Sequence, residues 1–236
     1  MLVGANSDTG RIRQLNEDAF YVGDKLLVVA DGMGGHAAGE VASQLAVRTV
    51  SNWSDWSQPL VALRAAFAAA NKAVLVKAAS DSNCAGMGTT LTACLIYNKQ
   101  MMIAHIGDSR LYLMRQAALR CLTIDHSIVG EMVRSGGLSE EAARSHPQRN
   151  ILTRALGAEL NLDIDIFCED LQVGDRLLLC TDGLHAMVQM PMIEHILFTY
   201  SSPKEAAAKL ISAANDAGGA DNITTIVADI LKEDLV

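Results

Sequence analysis

The sequence predicts an α+β fold with a mainly antiparallel sheet, on three observations. Short aliphatic and β-branched runs recur along the chain, amphipathic helical stretches lie between some of them, and runs in the middle are joined by turns too short for a parallel crossover. The runs lie at residues 26–30, 91–97, 101–106, 110–114, 177–180 and 223–230. Several have so few polar interruptions that burial on both faces is expected. Ala42, Leu45, Ala46, Val50 and Trp53 share one face of a first helix, and Leu60, Leu63, Phe67, Ala70 and Val74 one face of a second. Both faces should pack on a sheet. Asn98-Lys99 reads as the turn joining 91–97 to 101–106, and Gly107-Asp108 as the turn that follows, so the middle of the chain reads as an antiparallel meander. A third helix has the clearest start, with Ser202 as cap, Pro203 in its first turn and Glu205 completing a capping box. Ala207, Leu210, Ile211 and Ala214 form its buried stripe, and Gly218-Gly219 ends it.

Composition narrows the function classes. The chain has 236 residues, half of them hydrophobic and only 4% aromatic, which predicts one domain with an aliphatic core. Lys and Arg number 19 against 27 Asp and Glu, a net charge of −8, and no basic run supplies a patch for nucleic acid. Cys84, Cys94, Cys121, Cys168 and Cys180 are odd in number and widely spaced, so they read as reduced core residues. With no leader-like start and no apolar run approaching ~20 residues, no membrane association and a cytoplasmic location are expected.

The acidic residues carry the chemistry. Apolar runs repeatedly stop at an aspartate followed by a small residue: Ala30-Asp31-Gly32, Gly107-Asp108-Ser109 and Thr181-Asp182-Gly183. Glu17-Asp18, after a polar segment, and Asp221-Asn222, just before the last strand, add two further acidic regions. Singly, each is an ordinary turn residue. Gathered together they would be costly to bury without a cation, and hard oxygen ligands suit Mg²⁺ or Mn²⁺. Periodicity alone does not say that they converge.

Six ordered segments bear on that point: residues 13–18 (RQLNED), 29–36 (VADGMGGH), 86–90 (GMGTT), 107–110 (GDSR), 181–184 (TDGL) and 221–224 (DNIT). Together they resemble the motifs of the metal-dependent 2C-type serine/threonine protein phosphatases, most closely the bacterial branch, from about Ser7 to the last strand. The resemblance implies a four-layer α-β-β-α sandwich, two stacked, mainly antiparallel sheets flanked by helices. It implies a hydrolase that cleaves phosphoserine and phosphothreonine by in-line attack of a water bridging two divalent metals, Mn²⁺ or Mg²⁺. Asp31, Asp182 and Asp221 match the ligands of the first metal. Glu17 and the backbone carbonyl of Gly32 match those of the second, with Asp31 shared. Asp18 matches a carboxylate acting through metal-bound water, Asp108 the ligand of a weaker third metal, and Arg13 the phosphate-binding arginine. Lys would not reproduce the planar fork of Arg13.

One departure concerns the proton donor. Some relatives place a histidine directly after the Asp-Gly pair, where Met33 stands here; His36, three positions later, reads as a cap or surface residue. Residues 125–153 correspond to the family's flap, an excursion beside the cleft with short helical pieces at 127–134 and 139–144 and a hinge at Ser135-Gly136-Gly137. Residues 163–167 (DIDIF) mimic an aspartyl-nucleophile motif, but their period of two reads as a half-exposed strand, and no cysteine opens a phosphate-cradling loop. A catalytically silent binding module would have lost a bridging carboxylate, and Glu17, Asp31, Asp182 and Asp221 are all present. The implied partners are phosphorylated proteins, in signalling opposed to a bacterial Ser/Thr kinase, with the chain as a monomer.

Overall fold

The computed structural model describes residues 1–35 and 38–235. In order, the elements are β1 (Leu2–Asp8), β2 (Asp18–Val22), β3 (Leu26–Met33), α1 (Ala38–Ser51), α2 (Pro59–Ser80), β4 (Gly88–Thr89), β5 (Leu91–Tyr97), β6 (Gln100–Ile106) and β7 (Arg110–Arg115). Then come β8 (Ala118–Cys121), α3 (Ile128–Arg134), α4 (Glu140–Arg144), β9 (Asp165–Asp170), β10 (Arg176–Cys180), α5 (Asp182–His185), α6 (Met190–Thr199), α7 (Pro203–Asp216) and β11 (Ile223–Asp229). One sheet has the order β1-β11-β10-β7-β8; the other has β2-β3-β5-β6-β9, with β4 on β3. Every pairing is antiparallel.

Three apolar clusters make this the four-layer sandwich. Leu27, Val29, Ile103, Leu111, Leu179 and Ile226 pack between the sheets. Ala42, Ala46, Val50, Leu63, Phe67 and Val74 of α1 and α2 cover the outer face of the β3-containing sheet. Ile193, Leu197, Ala207, Leu210 and Ile211 of α6 and α7 cover the other. Strands between helices and a second sheet are buried on both faces, which explains why β5 and β10 have no polar alternation.

Several local expectations need correction. The hairpin at Asn98-Lys99 forms, with φ of 48° and 65°, and joins β5 to β6. The meander does not continue: β6 and β7 belong to different sheets, and the turn at Gly107-Asp108 carries the chain from one layer to the other. Gly107 has φ of 106°, and a Cβ there would meet Thr90 at 2.5 Å, so the corner needs glycine. Leu60 points outward at 38% exposure, and Trp53 lies beyond the end of α1. The half-exposed strand is Asp165–Asp170 rather than 163–167. The strands β1 and β2 and the helices α5 and α6 carry too little periodicity to stand out. Cys121 and Cys168 are exposed, while Cys84, Cys94 and Cys180 are buried, all five unpaired. By length and apolarity α2 would suffice to cross a membrane, yet its Leu63, Ala66, Phe67, Ala70 and Val74 are core residues here.

Arg176 ties the layers at one end. Its guanidinium donates to both Asp229 oxygens at 2.6 and 2.8 Å and to the carbonyls of Leu197, Tyr200 and Ser201, each at 2.6 Å, so it satisfies backbone acceptors at and beyond the end of α6. Arg176→Ala leaves those acceptors and Asp229 unpaired. It is expected to cost on the order of 3–5 kcal/mol and to lower Tm by on the order of 10 °C, with Arg176→Lys recovering less than half; thermal unfolding of the two variants checks this.

Candidate active site

The acidic residues come together at the rim where the two sheets meet. Asp18 opens β2 and sits opposite Asp31 in the β2–β3 register. The strand β3 does not stop at Asp31, as the sequence suggested, but continues through Gly32 to pair with β4. Asp108 follows the corner after β6, Asp182 begins α5 directly after β10, and Asp221 precedes β11.

Two glycines let the first helix approach this rim. A Cβ on Gly32 would meet the carbonyl oxygens of Gly39 at 2.1 Å and Glu17 at 2.6 Å, and one on Gly39 would strike Glu17 Oε1 at 2.6 Å. The backbone N–H groups of Gly39 and Glu40, in the first turn of α1, therefore face the Glu17 carboxylate. The Glu17 N–H donates to Asn222 Oδ1 at 2.8 Å, while Asn222 Nδ2 donates to the carbonyls of Thr9 and Leu15, fixing both ends of the loop that presents Arg13.

Asp18 Oδ2 accepts from the Thr181 hydroxyl at 2.8 Å and the Thr224 hydroxyl at 2.7 Å. Burial nonetheless pushes Asp18 up to about 7, with Asp182 and Asp221 adding repulsion. Burial followed by the charges of Asp18, Asp182, Asp108 and Asp221 holds Asp31 well above the usual carboxylate range. Asp108 is raised in the same way, first by burial and then by Asp182. Asp182 rises to about 6 from burial and Asp221, offset in part by a hydrogen bond with Asp31. Arg13 Nη2 donates to Asp221 Oδ2 at 2.8 Å, and this is the cation that reaches the group from outside.

Among the described residues, no three acidic, histidine or cysteine side chains stand close enough together to hold a cation as they are. The donor set still fits a hard cation. Four buried side-chain polar atoms among the described residues lack a partner, and three of them are Glu17 Oε1, Asp18 Oδ1 and Asp182 Oδ1. Orphaned carboxylate oxygens beside carboxylates with raised pKa need positive charge, and oxygen-only donors suit Mg²⁺ or Mn²⁺.

A family model described as Protein phosphatase 2C matches residues 11–227. The chain belongs to that family. It is 43% identical over 235 residues to the serine/threonine phosphatase stp of Listeria monocytogenes, covering 94% of this chain and 93% of that protein. The Mycobacterium tuberculosis serine/threonine phosphatase PstP/Ppp superposes with a TM-score of 0.92 at 41% identity, over 97% of this chain and 98% of that one. A PstP catalytic domain in complex with two manganese ions gives 0.91 at 38% identity, over 98% of each chain. The chain is accordingly a metal-dependent serine/threonine phosphatase, a phosphoric monoester hydrolase.

Sequence reading passed over the residues that hold the carboxylates in place. Thr181, Thr224 and Asn222 stood inside the motifs without a role; a hydroxyl or amide beside a motif acid was the available signal. The Asp108 corner has its own supports. His185 Nε2 donates to the Asp108 carbonyl at 3.0 Å, and the Gly107 N–H donates to His126 Nδ1 at 3.2 Å. His105 lies beneath, its ring 4.8 Å from that of His126, bonded to the Thr92 hydroxyl and the Ile124 carbonyl. His36 lies outside the described residues.

Burial, then the neighbouring His126, lowers His105 from 6.5 to about 4. The unfolded chain therefore takes up a proton below about 6.5 that the folded one refuses until about 4, so this contribution to stability is intact above 6.5 and is lost as pH falls. Relative to His105→Gln, the wild type is expected to lose about 3 kcal/mol between pH 6.5 and 4. Urea unfolding of both proteins across that range checks it; parallel curves would contradict it.

Proposed function

We propose that residues 1–236 act as one phosphatase catalytic domain on phosphoserine and phosphothreonine in proteins, opposing a Ser/Thr kinase in the cytoplasm as a monomer. The observation that carries the site assignment is the set of buried carboxylates with orphaned oxygens facing one rim of the sandwich. Five unpaired cysteines agree with a reducing compartment.

Asp31, Asp182 and Asp221 would hold one divalent cation; Asp31, Glu17 and the Gly32 carbonyl would hold a second, and Asp108 would serve a weaker third. When bound, Mn²⁺ or Mg²⁺ supplies Lewis acidity toward the phosphoryl oxygens and activates water for in-line attack on phosphorus. Arg13 sits half-exposed on the loop above and presents two parallel donors to the phosphate, exchanging Asp221 for substrate oxygens. Asp18, held by the two threonine hydroxyls through Oδ2, keeps Oδ1 free to orient water at the rim. The excursion at about 125–153 borders the same rim and would shape which proteins enter.

Hydrolysis of a phosphothreonine peptide is expected with Mn²⁺ or Mg²⁺ and not with chelator, falling by at least about 10³-fold in Asp31→Asn and Asp182→Asn. Metal at 100 times its Kd should stabilise the wild type by about 2.7 kcal/mol and Asp31→Asn by much less. Calorimetry reads that separately from turnover. Metal binding with no turnover on any phosphopeptide would sink the enzymatic assignment. Arg13→Lys is expected to lower kcat/KM by roughly 10- to 100-fold, since one point charge replaces a fork; steady-state kinetics on the same peptide reports it.

A further inference from the structure

A cavity of 360 Å³ opens beside the carboxylate rim, and apart from Asp108 and Asp182 the hydrolytic assignment gives its lining no role. Its volume lies within the range of about 300–1,000 Å³ typical of pockets that take a discrete ligand group. Asp108 and Asp182 form one end, so the cavity is continuous with the proposed reaction centre. Val129 and Val133 of α3 and Met190 and Ile193 of α6 contribute apolar lining. One wall thus belongs to the excursion and the other to the scaffold, which Ile193 anchors at 1% exposure.

Four arginines and four acids line the cavity: Arg110, Arg134, Arg144 and Arg149, with Asp108, Asp125, Glu140 and Asp182. Arg110 is spent on Asp125, with bonds of 2.8 and 2.6 Å to its two oxygens. Asp108 and Asp182 belong to the carboxylate rim, so among the remaining charges from the excursion Arg134, Arg144 and Arg149 stand with one acid, Glu140. None of the three arginines makes an ion pair among the described residues, although Arg110, Arg115, Arg120, Arg154 and Arg176 all do. Arg134 is exposed and Arg144 half-buried, on two different helices of the same excursion. Guanidinium groups without an ion pair and apolar side chains in one lining suit a side chain followed by an anion.

We propose that this cavity is a second substrate subsite, taking an apolar side chain and an adjacent anionic group, carboxylate or phosphate, from the segment flanking the phosphorylated residue. This rests on the phosphatase assignment, because what fills the cavity must be tethered to the phosphate held at the rim. It names the class of protein preferred: one whose phosphosite lies next to an aliphatic residue and a second negative charge. Binding there is remote from the reacting bonds and acts through KM.

The test is steady-state kinetics with Mn²⁺ on phosphothreonine peptides whose flank is neutral and polar, carries leucine, carries leucine with aspartate, or carries leucine with a second phosphothreonine, each at several spacings. The wild type should favour one anionic leucine peptide over the neutral one by about tenfold in kcat/KM, and whichever anion gains more identifies the group. The Arg134→Gln/Arg144→Gln protein should lose that gain through KM, with kcat and turnover of the neutral peptide and of p-nitrophenyl phosphate unchanged. Ala143→Phe, which fills the cavity, should abolish the benefit of leucine while keeping the folded melting transition. Equal kcat/KM for all peptides in the wild type, or an undiminished preference in the double variant, overturns the subsite alone. No turnover of any peptide or of p-nitrophenyl phosphate by the wild type overturns the phosphatase assignment and the subsite with it.

Discussion

The structure is organised around an electrostatic conflict. Glu17, Asp18, Asp31, Asp108, Asp182 and Asp221 are collected at one rim of a sandwich whose interior offers little solvation. Burial and mutual repulsion raise the pKa of Asp18, Asp31, Asp108 and Asp182, which means the fold spends stability to hold negative charge there. Such an arrangement is sustainable only if a cation resolves it during the working cycle and a rigid frame prevents the acids from swinging out to water.

The frame explains the architecture. Acids contributed by strands or by the residues beside strand ends are held by hydrogen-bonded ladders on two sheets, and the apolar layer between those sheets locks their separation. A helix start at Gly39 and Glu40 closes on Glu17 because glycine at positions 32 and 39 removes the side chains that would keep it away. Thr181, Thr224 and Asn222 then join the acids of β2 to β10 and β11 across the gap between sheets. Each contact is modest alone; together they leave the carboxylates no alternative position.

The excursion between β8 and β9 is pinned at its base. The Ser127–Leu152 bridge and the bond from the Thr153 N–H to the His126 carbonyl at 2.8 Å pinch it beside Asp108. Further out it consists of two short helices capped by Ser127 and Ser139 and separated by a Gly136 with φ of 76°.

What the sequence determined by itself was the kind of chemistry and the acids proposed to carry it. A side chain's type is fixed wherever it folds, and motif order is visible in one dimension. It also determined the long helices and the strands buried on both faces, since their hydrophobic patterns report burial directly: Ala42, Ala46, Val50, Leu63, Phe67, Ala207 and Leu210 are core residues. Only the tertiary structure decided that β6 and β7 part company at Gly107. A pattern says that a strand is buried but not against which neighbour, and the turn there is a corner between layers. It alone brought Thr181 and Thr224 onto Asp18, and set α3 against α6 around a cavity. Those juxtapositions join residues far apart in the chain, and whether a hydroxyl or an arginine is idle or engaged depends on what the fold carries to it.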